Sequence, residues 1–219
     1  MSQIPISIAT PSRSALVRRG RRLEYFTIGY NSLEGLVALV AGLIAGSIAL
    51  VGFGFDSLIE VTSGAVLLWR LNADIDEARR ERVEAISLRI VGVCFLLLAA
   101  YISYDSLKSL IKHEAPHESI PGIILAASSL IVMPLLVRAK RKVARGINSG
   151  ALMADSKQTE LCTYLSAILL VGLLLNAWLG WWWADPVAAL IMVPIIVKEG
   201  IEGLRGESCC EDASCGESL

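Results

Sequence analysis

Residues 49–71 read ALVGFGFDSLIEVTSGAVLLWRL, and this stretch decides the fold. It is long enough to cross a bilayer as one helix, which takes about 20 residues. Inside it sit Asp56 and Glu60, four residues apart and therefore on one helical face. A lone charge at such depth costs about 2.5–3.5 kcal/mol on insertion scales. Two neighbouring carboxylates call for a compensating cation or proton, which makes the pair the first candidate functional feature.

Five further apolar runs surround this one. Together they predict six spans: Tyr25–Gly46, Ala49–Leu71, Ala85–Leu107, Ile120–Val137, Ala151–Ala177 and Trp182–Leu204. The runs are too long and too little alternating for barrel strands. The chain of 219 residues is 54% hydrophobic, and its mean hydropathy is +0.60. Both values exceed what soluble domains carry. The expected fold class is an all-α membrane protein, a six-transmembrane-helix bundle. It divides into an N-terminal tail (1–24), a membrane domain (25–204) and a Cys- and acid-rich tail (205–219). The basic residues Arg18, Arg19, Arg21 and Arg22 precede an apolar run too long for a signal-peptide core.

Lys and Arg give the orientation. Sixteen lie in the N-terminal tail, the second and fourth connections and the last helix end, against Lys108 and Lys112 on the other side. Both termini are therefore expected in the cytoplasm, in an inner or plasma membrane. Trp178 and Trp181–Trp183 suit the opposite interface as an aromatic belt.

Polar residues inside the spans gather in three places. Span two holds Asp56 and Glu60, with Gly52, Ser63 and Gly64 along the same face. Span one adds Asn31 and Glu34. Span five carries Asp155, Ser156, Thr159, Glu160, Cys162, Thr163 and Ser166 within an arc of roughly 160° at 100° per residue. Thr163 and Ser166 have the plainer reading of bonding to backbone or a neighbouring helix. Lys157 is the only cation that this reading places within the spans near the acids, and it lies opposite the polar arc. Acids then outnumber bases. Oxygen donors from two helices suit a divalent cation, and protons compete for the same carboxylates.

At this point the chain resembles the cation diffusion facilitators, over about residues 20–205. The likeness rests on Asp56-Ser-Leu-Ile-Glu60 in the second span, on Ala154-Asp-Ser-Lys-Gln-Thr-Glu-Leu161 in the fifth, and on Ala184-Asp-Pro-Val-Ala-Ala-Leu190 at the sixth. It implies a dimeric exporter of divalent metal, driven by proton exchange, with alternating access around the two helix motifs. The metal ligands it implies are Asp56, Glu60, Asp155 and Glu160, with Asn31, Glu34 and Thr159 in support. In span five the register is open: Asp155 pairs at four residues with Thr159, and Glu160 with Ser156. Zinc is the first choice on the resemblance, with manganese and iron(II) next and cadmium and cobalt also in range. The family's cytoplasmic metal-sensing domain has no counterpart after Leu204. The chain therefore resembles a shorter branch, the transmembrane-protein-163-like cation transporters.

Cys209, Cys210 and Cys215, mixed with acids, form a candidate tail site for capturing soft metal. His113 and His117 lie in an outer loop with Pro116 and read more simply as solvated residues than as a metal exit site. No nucleotide-binding glycine loop, nucleophile elbow or zinc-protease pair is present, so an enzyme is not expected. A non-transporting membrane metal sensor and a membrane-embedded metalloenzyme, whose span acids would hold a catalytic metal, are the alternative readings; the transporter itself is expected to have no resident cofactor, the metal being its cargo.

Overall fold

The computed structural model describes residues 13–72, 77–113, 116–147 and 149–205. Six helices follow in order: α1 (Arg13–Ala45), α2 (Ile48–Asn72), α3 (Glu77–Lys112), α4 (Ile120–Ile147), α5 (Gly150–Leu179) and α6 (Ala184–Arg205). Among the described residues there is no strand. Helices α1 to α5 are each long and apolar enough to cross a membrane. In α6, Asp185 at one end and Lys198, Glu199, Glu202 and Arg205 at the other shorten the uncharged stretch. The protein is an all-α, multi-pass integral membrane protein.

Helices α2, α5 and α6 agree with the expected spans to within two residues at each end. The others run on. Helix α1 begins at Arg13 rather than Tyr25, α3 extends at both ends, and α4 continues to Ile147 instead of stopping at Val137. Hydropathy marks where a helix leaves apolar surroundings. It does not mark where the backbone stops being helical. This difference places Glu24 and Lys140, which the sequence reading assigns to polar segments, inside the bundle.

Three short connections lie at one end, the hairpin end. The last turns of α2 and α4, the first turns of α3 and α5, and the outer ends of α1 and α6 lie at the other, the terminal end. Gly46, at φ +68°, closes α1 in the left-handed conformation that glycine adopts without steric cost. Ser47 then caps α2, its Oγ accepting from the Leu50 N–H at 3.1 Å. The Asp185 carboxylate, from the start of α6, accepts from the Ser47 hydroxyl and from the Ile48 N–H at 2.9 Å. A negative charge is thus set at the N-terminus of α2, where unpaired N–H groups and the helix dipole favour it. The His117 N–H donates to the Ala45 carbonyl at 2.7 Å, and Asn176 Nδ2 to the Pro116 carbonyl at 3.2 Å. The His113 ring lies 4.7 Å from that of Trp182. In this place His113 packs as an aromatic partner.

Small residues set the helix spacing. A Cβ on Gly42 of α1 would stand 2.9 Å from the Val51 nitrogen of α2. One on Gly92 of α3 would stand 2.7 Å from the Gly200 carbonyl oxygen of α6. Such approaches let backbones pack in the absence of any hydrophobic drive between helices in lipid. Phe53, Ile102, Met133, Leu165 and Met192 fill the centre, while Leu43, Ile44, Ile111 and Trp178 lie on the outside. Large apolar side chains outside and charged ones inside are the arrangement a lipid solvent selects.

Candidate metal centre between α2 and α5

The buried face of α1 runs Gly20, Glu24, Thr27, Asn31, Glu34, Gly35 and Ala38, a helical stripe that is polar over much of its length. It packs against α2 and α4, and α2 in turn against α5. Four polar helix faces therefore meet in the interior.

Asp56 and Glu60 are both buried on α2. Glu60 Oε1 accepts the Thr159 hydroxyl of α5 at 2.8 Å, and its Oε2 has no hydrogen-bond partner. The buried Cys162 thiol interacts with the carboxyls of both Asp56 and Glu60. Gln158 shares with Asp56 the wall of a narrow crevice between α2, α3, α5 and α6. Gln158 and Cys162 are themselves four residues apart. Antiparallel packing then sets one i,i+4 pair, Asp56 and Glu60, against another, Gln158 and Cys162. Among the described residues no three His, Cys, Asp or Glu side chains converge closely enough to hold a metal ion. Binding through this set would draw on the Gln158 amide or on a small closing of α5 on α2.

The two acids that the sequence reading offers from span five stand elsewhere. Asp155 is ion-paired with Lys140 of α4. Lys140 is fully buried and also reaches Glu24 of α1 at 3.3 Å and Thr159 Oγ1 at 3.3 Å. Glu160 forms an ion pair with Arg141 at the rim, where its side chain is 35% exposed. Glu160 thus stands away from the α2 pair, and Asp155 is joined to Glu60 through Lys140 and Thr159. The structure corrects the view that Lys157 is the nearest intramembrane cation: Lys140 is, and it neutralises part of the acid cluster from within.

The supporting residues also separate. Thr159 is the bridge between the two groups, receiving Lys140 on one side and donating to Glu60 on the other. Glu34 accepts the Ser57 hydroxyl at 3.1 Å, leaving its Oε1 without a partner, and both side-chain polar atoms of Asn31 are buried and unpartnered. Both are buried on α1, which packs against α2. Cys209, Cys210 and Cys215 lie outside the described residues.

Gln158 and Cys162 are what sequence reasoning passed over. Cys162 stands in its polar arc, but an amide and a thiol at four-residue spacing do not stand out beside Asp155 and Glu160. Laying the α2 pair antiparallel against α5 is the step that finds them.

A multi-helix membrane bundle with paired carboxylates buried at its centre belongs to the class of membrane proteins that handle ions in their interior. The chain belongs to the cation efflux family of transporters: residues 26–206 match the model of the cation efflux transmembrane domain. Relatives include an uncharacterized transporter of Methanocaldococcus jannaschii, 26% identical over 77% of this chain and 61% of that one. The magnetosome protein MamB of Paramagnetospirillum magneticum is 29% identical over 74% of this chain and 57% of its own length. Transmembrane protein 163 of Xenopus laevis is 24% identical, over 82% and 64%. The chain spans about three fifths of the length of the curated relatives it matches.

Proposed function

We propose that this protein exports a divalent metal ion, zinc first among them, in exchange for protons, and that Asp56 and Glu60 of α2 with Gln158 and Cys162 of α5 form the transport site. The observation that carries the reading is the facing of two i,i+4 pairs in the bundle interior, with Asp56 and Gln158 on the wall of one crevice and Glu60 and Cys162 buried beside them. Carboxylates, an amide oxygen and a thiol form a borderline-soft set that suits zinc and cadmium, and less well magnesium or calcium. Metal displaces protons from the carboxyls and thiol, so binding is proton-coupled by its chemistry. The Lys and Arg bias assigns the terminal end to the cytoplasm. The ion would then load from that side and leave at the hairpin end after the bundle rocks around the fixed site. Two copies form the working unit in this reading, as the family resemblance implies.

Its relatives support export: a cation-efflux pump, FieF, of Shewanella oneidensis is 23% identical over 76% of this chain. The test is flux in proteoliposomes carrying a zinc indicator and an imposed pH gradient. Wild-type protein is expected to move zinc against the gradient of protons, and Asp56→Ala and Glu60→Ala are each expected to abolish the flux while still inserting. Wild-type flux in either variant removes the site assignment. Zinc binding without flux in the wild type would instead favour a sensor.

A further inference from the structure

We infer that Glu199 of α6 is a further cation-binding residue, a staging carboxylate at the mouth of the crevice that takes a divalent cation from the aqueous side and passes it to Asp56. The inference rests on the transport reading above and extends it to a helix outside the two facing pairs.

The crevice has three polar residues, Asp56, Gln158 and Glu199, on walls otherwise made of apolar side chains such as Phe95, Leu165 and Ile196. No positively charged group lines it. Asp56 is 8% exposed, faces into this space, and accepts no N–H or O–H hydrogen bond from the described residues beyond its contact with the Cys162 thiol. A carboxyl so buried and so poorly satisfied calls for a compensating cation or proton. Glu199 is half-buried and shares the crevice wall with Asp56.

Depth follows from the hydrogen bond that sets Ile48 level with Asp185. At about 1.5 Å per residue, Asp56 lies about 12 Å and Glu199 about 21 Å below that level, so Glu199 is about 9 Å nearer the terminal end. Glu60 lies at about 18 Å by the same rise, and its bond to Thr159 brings Gln158 to nearly the depth of Glu199. Glu199 and Gln158 thus lie nearer the terminal end, and Asp56 and Cys162 nearer the hairpin end.

The rotation of α6 is fixed by its neighbour in sequence. Gly200 packs against α3 so closely that a Cβ there would stand 3.1 Å from the Gly92 carbonyl oxygen. One residue earlier is about 100° around the helix, which turns Glu199 away from that contact and onto the crevice. Lys198 is exposed and pairs with Glu202 at 3.7 Å. Lys157, Lys198 and Glu202 are the charged groups around Glu199 outside the crevice.

The test compares Glu199→Gln and Glu199→Asp with the wild type, using zinc chloride and proteoliposome flux over a range of salt concentrations. A cleft charge raises the association rate of an oppositely charged ligand about tenfold or more, and salt screens it. Glu199→Gln is therefore expected to raise KM about tenfold with maximal flux within about twofold, and to flatten the salt dependence. Glu199→Asp, which keeps the charge, should restore both. Wild-type KM and salt dependence in Glu199→Gln overturn the inference, as does loss of maximal flux that Glu199→Asp fails to restore. Asp56→Asn run alongside separates the two levels: if it transports normally the transport site itself is wrong, whereas dead Asp56→Asn beside unaltered Glu199→Gln removes only the staging residue.

Discussion

Lys140→Met isolates the buried ion cluster, because methionine keeps much of the length and volume of the lysine stem and removes its charge. In the wild type Lys140 is fully buried, paired with Asp155 and 3.3 Å from Glu24. At an effective dielectric constant of about 20, a unit pair at 3.3 Å attracts by about 5 kcal/mol. Desolvation of the three charges offsets much of that gain, so the net worth of the cluster is small. Removing the cation alone is different, since two carboxylates remain in the interior with nothing to neutralise them. The expected cost is about 3–5 kcal/mol. Unfolding of purified protein in mixed micelles, followed by helical circular dichroism, reads this loss directly. The triple variant Lys140→Met, Glu24→Gln, Asp155→Asn removes every charge and should recover most of it. Unchanged stability in Lys140→Met, or a triple variant no more stable than the single one, would refute the account of Lys140 as an internal counter-ion.

Two further outcomes bear on the proposed transport site. Cys162→Ser replaces a soft donor by a hard one and should shift competition binding on purified protein away from cadmium and towards manganese by about tenfold or more; an unchanged ranking would take the thiol out of the site. Glu160→Gln breaks only a rim ion pair about one third exposed and should cost at most about 1 kcal/mol with flux intact; abolished zinc flux would restore Glu160 as a ligand.

Much of the bundle is legible in the sequence because lipid imposes one strong rule, a long apolar run for each crossing helix. The α2 pair is legible for the same reason, since Asp56 and Glu60 interrupt such a run. Glu24 and Lys140 are not. They lie beyond the apolar stretches, where a charged residue reads as solvated, and only the helical continuation of α1 and α4 carries them inward. Asp155 is legible as a buried acid, but its partner comes from α4, and no spacing along α5 reveals that. Gln158 becomes visible once α2 and α5 lie antiparallel. Glu199 requires α6 as well, whose rotation is set by Gly200 against Gly92.

The hairpin end carries a kinetic consequence. Any motion that parts α2 from α6 there, and α1 from the α3–α4 link, breaks the three bonds to Asp185 and the one between His117 and Ala45. At about 0.5–1.5 kcal/mol net for each, four bonds hold that end shut by about 2–6 kcal/mol. The conformer open on that side is then a minority state, at roughly one part in thirty to one part in twenty thousand by these bonds alone. Cargo shifts that balance only by the difference in its affinity for the two conformers. Under the proposed transport cycle, a clasp of four hydrogen bonds, far from Asp56 and Glu60, thereby limits how often the empty protein leaks and how strongly its passenger must favour the open form.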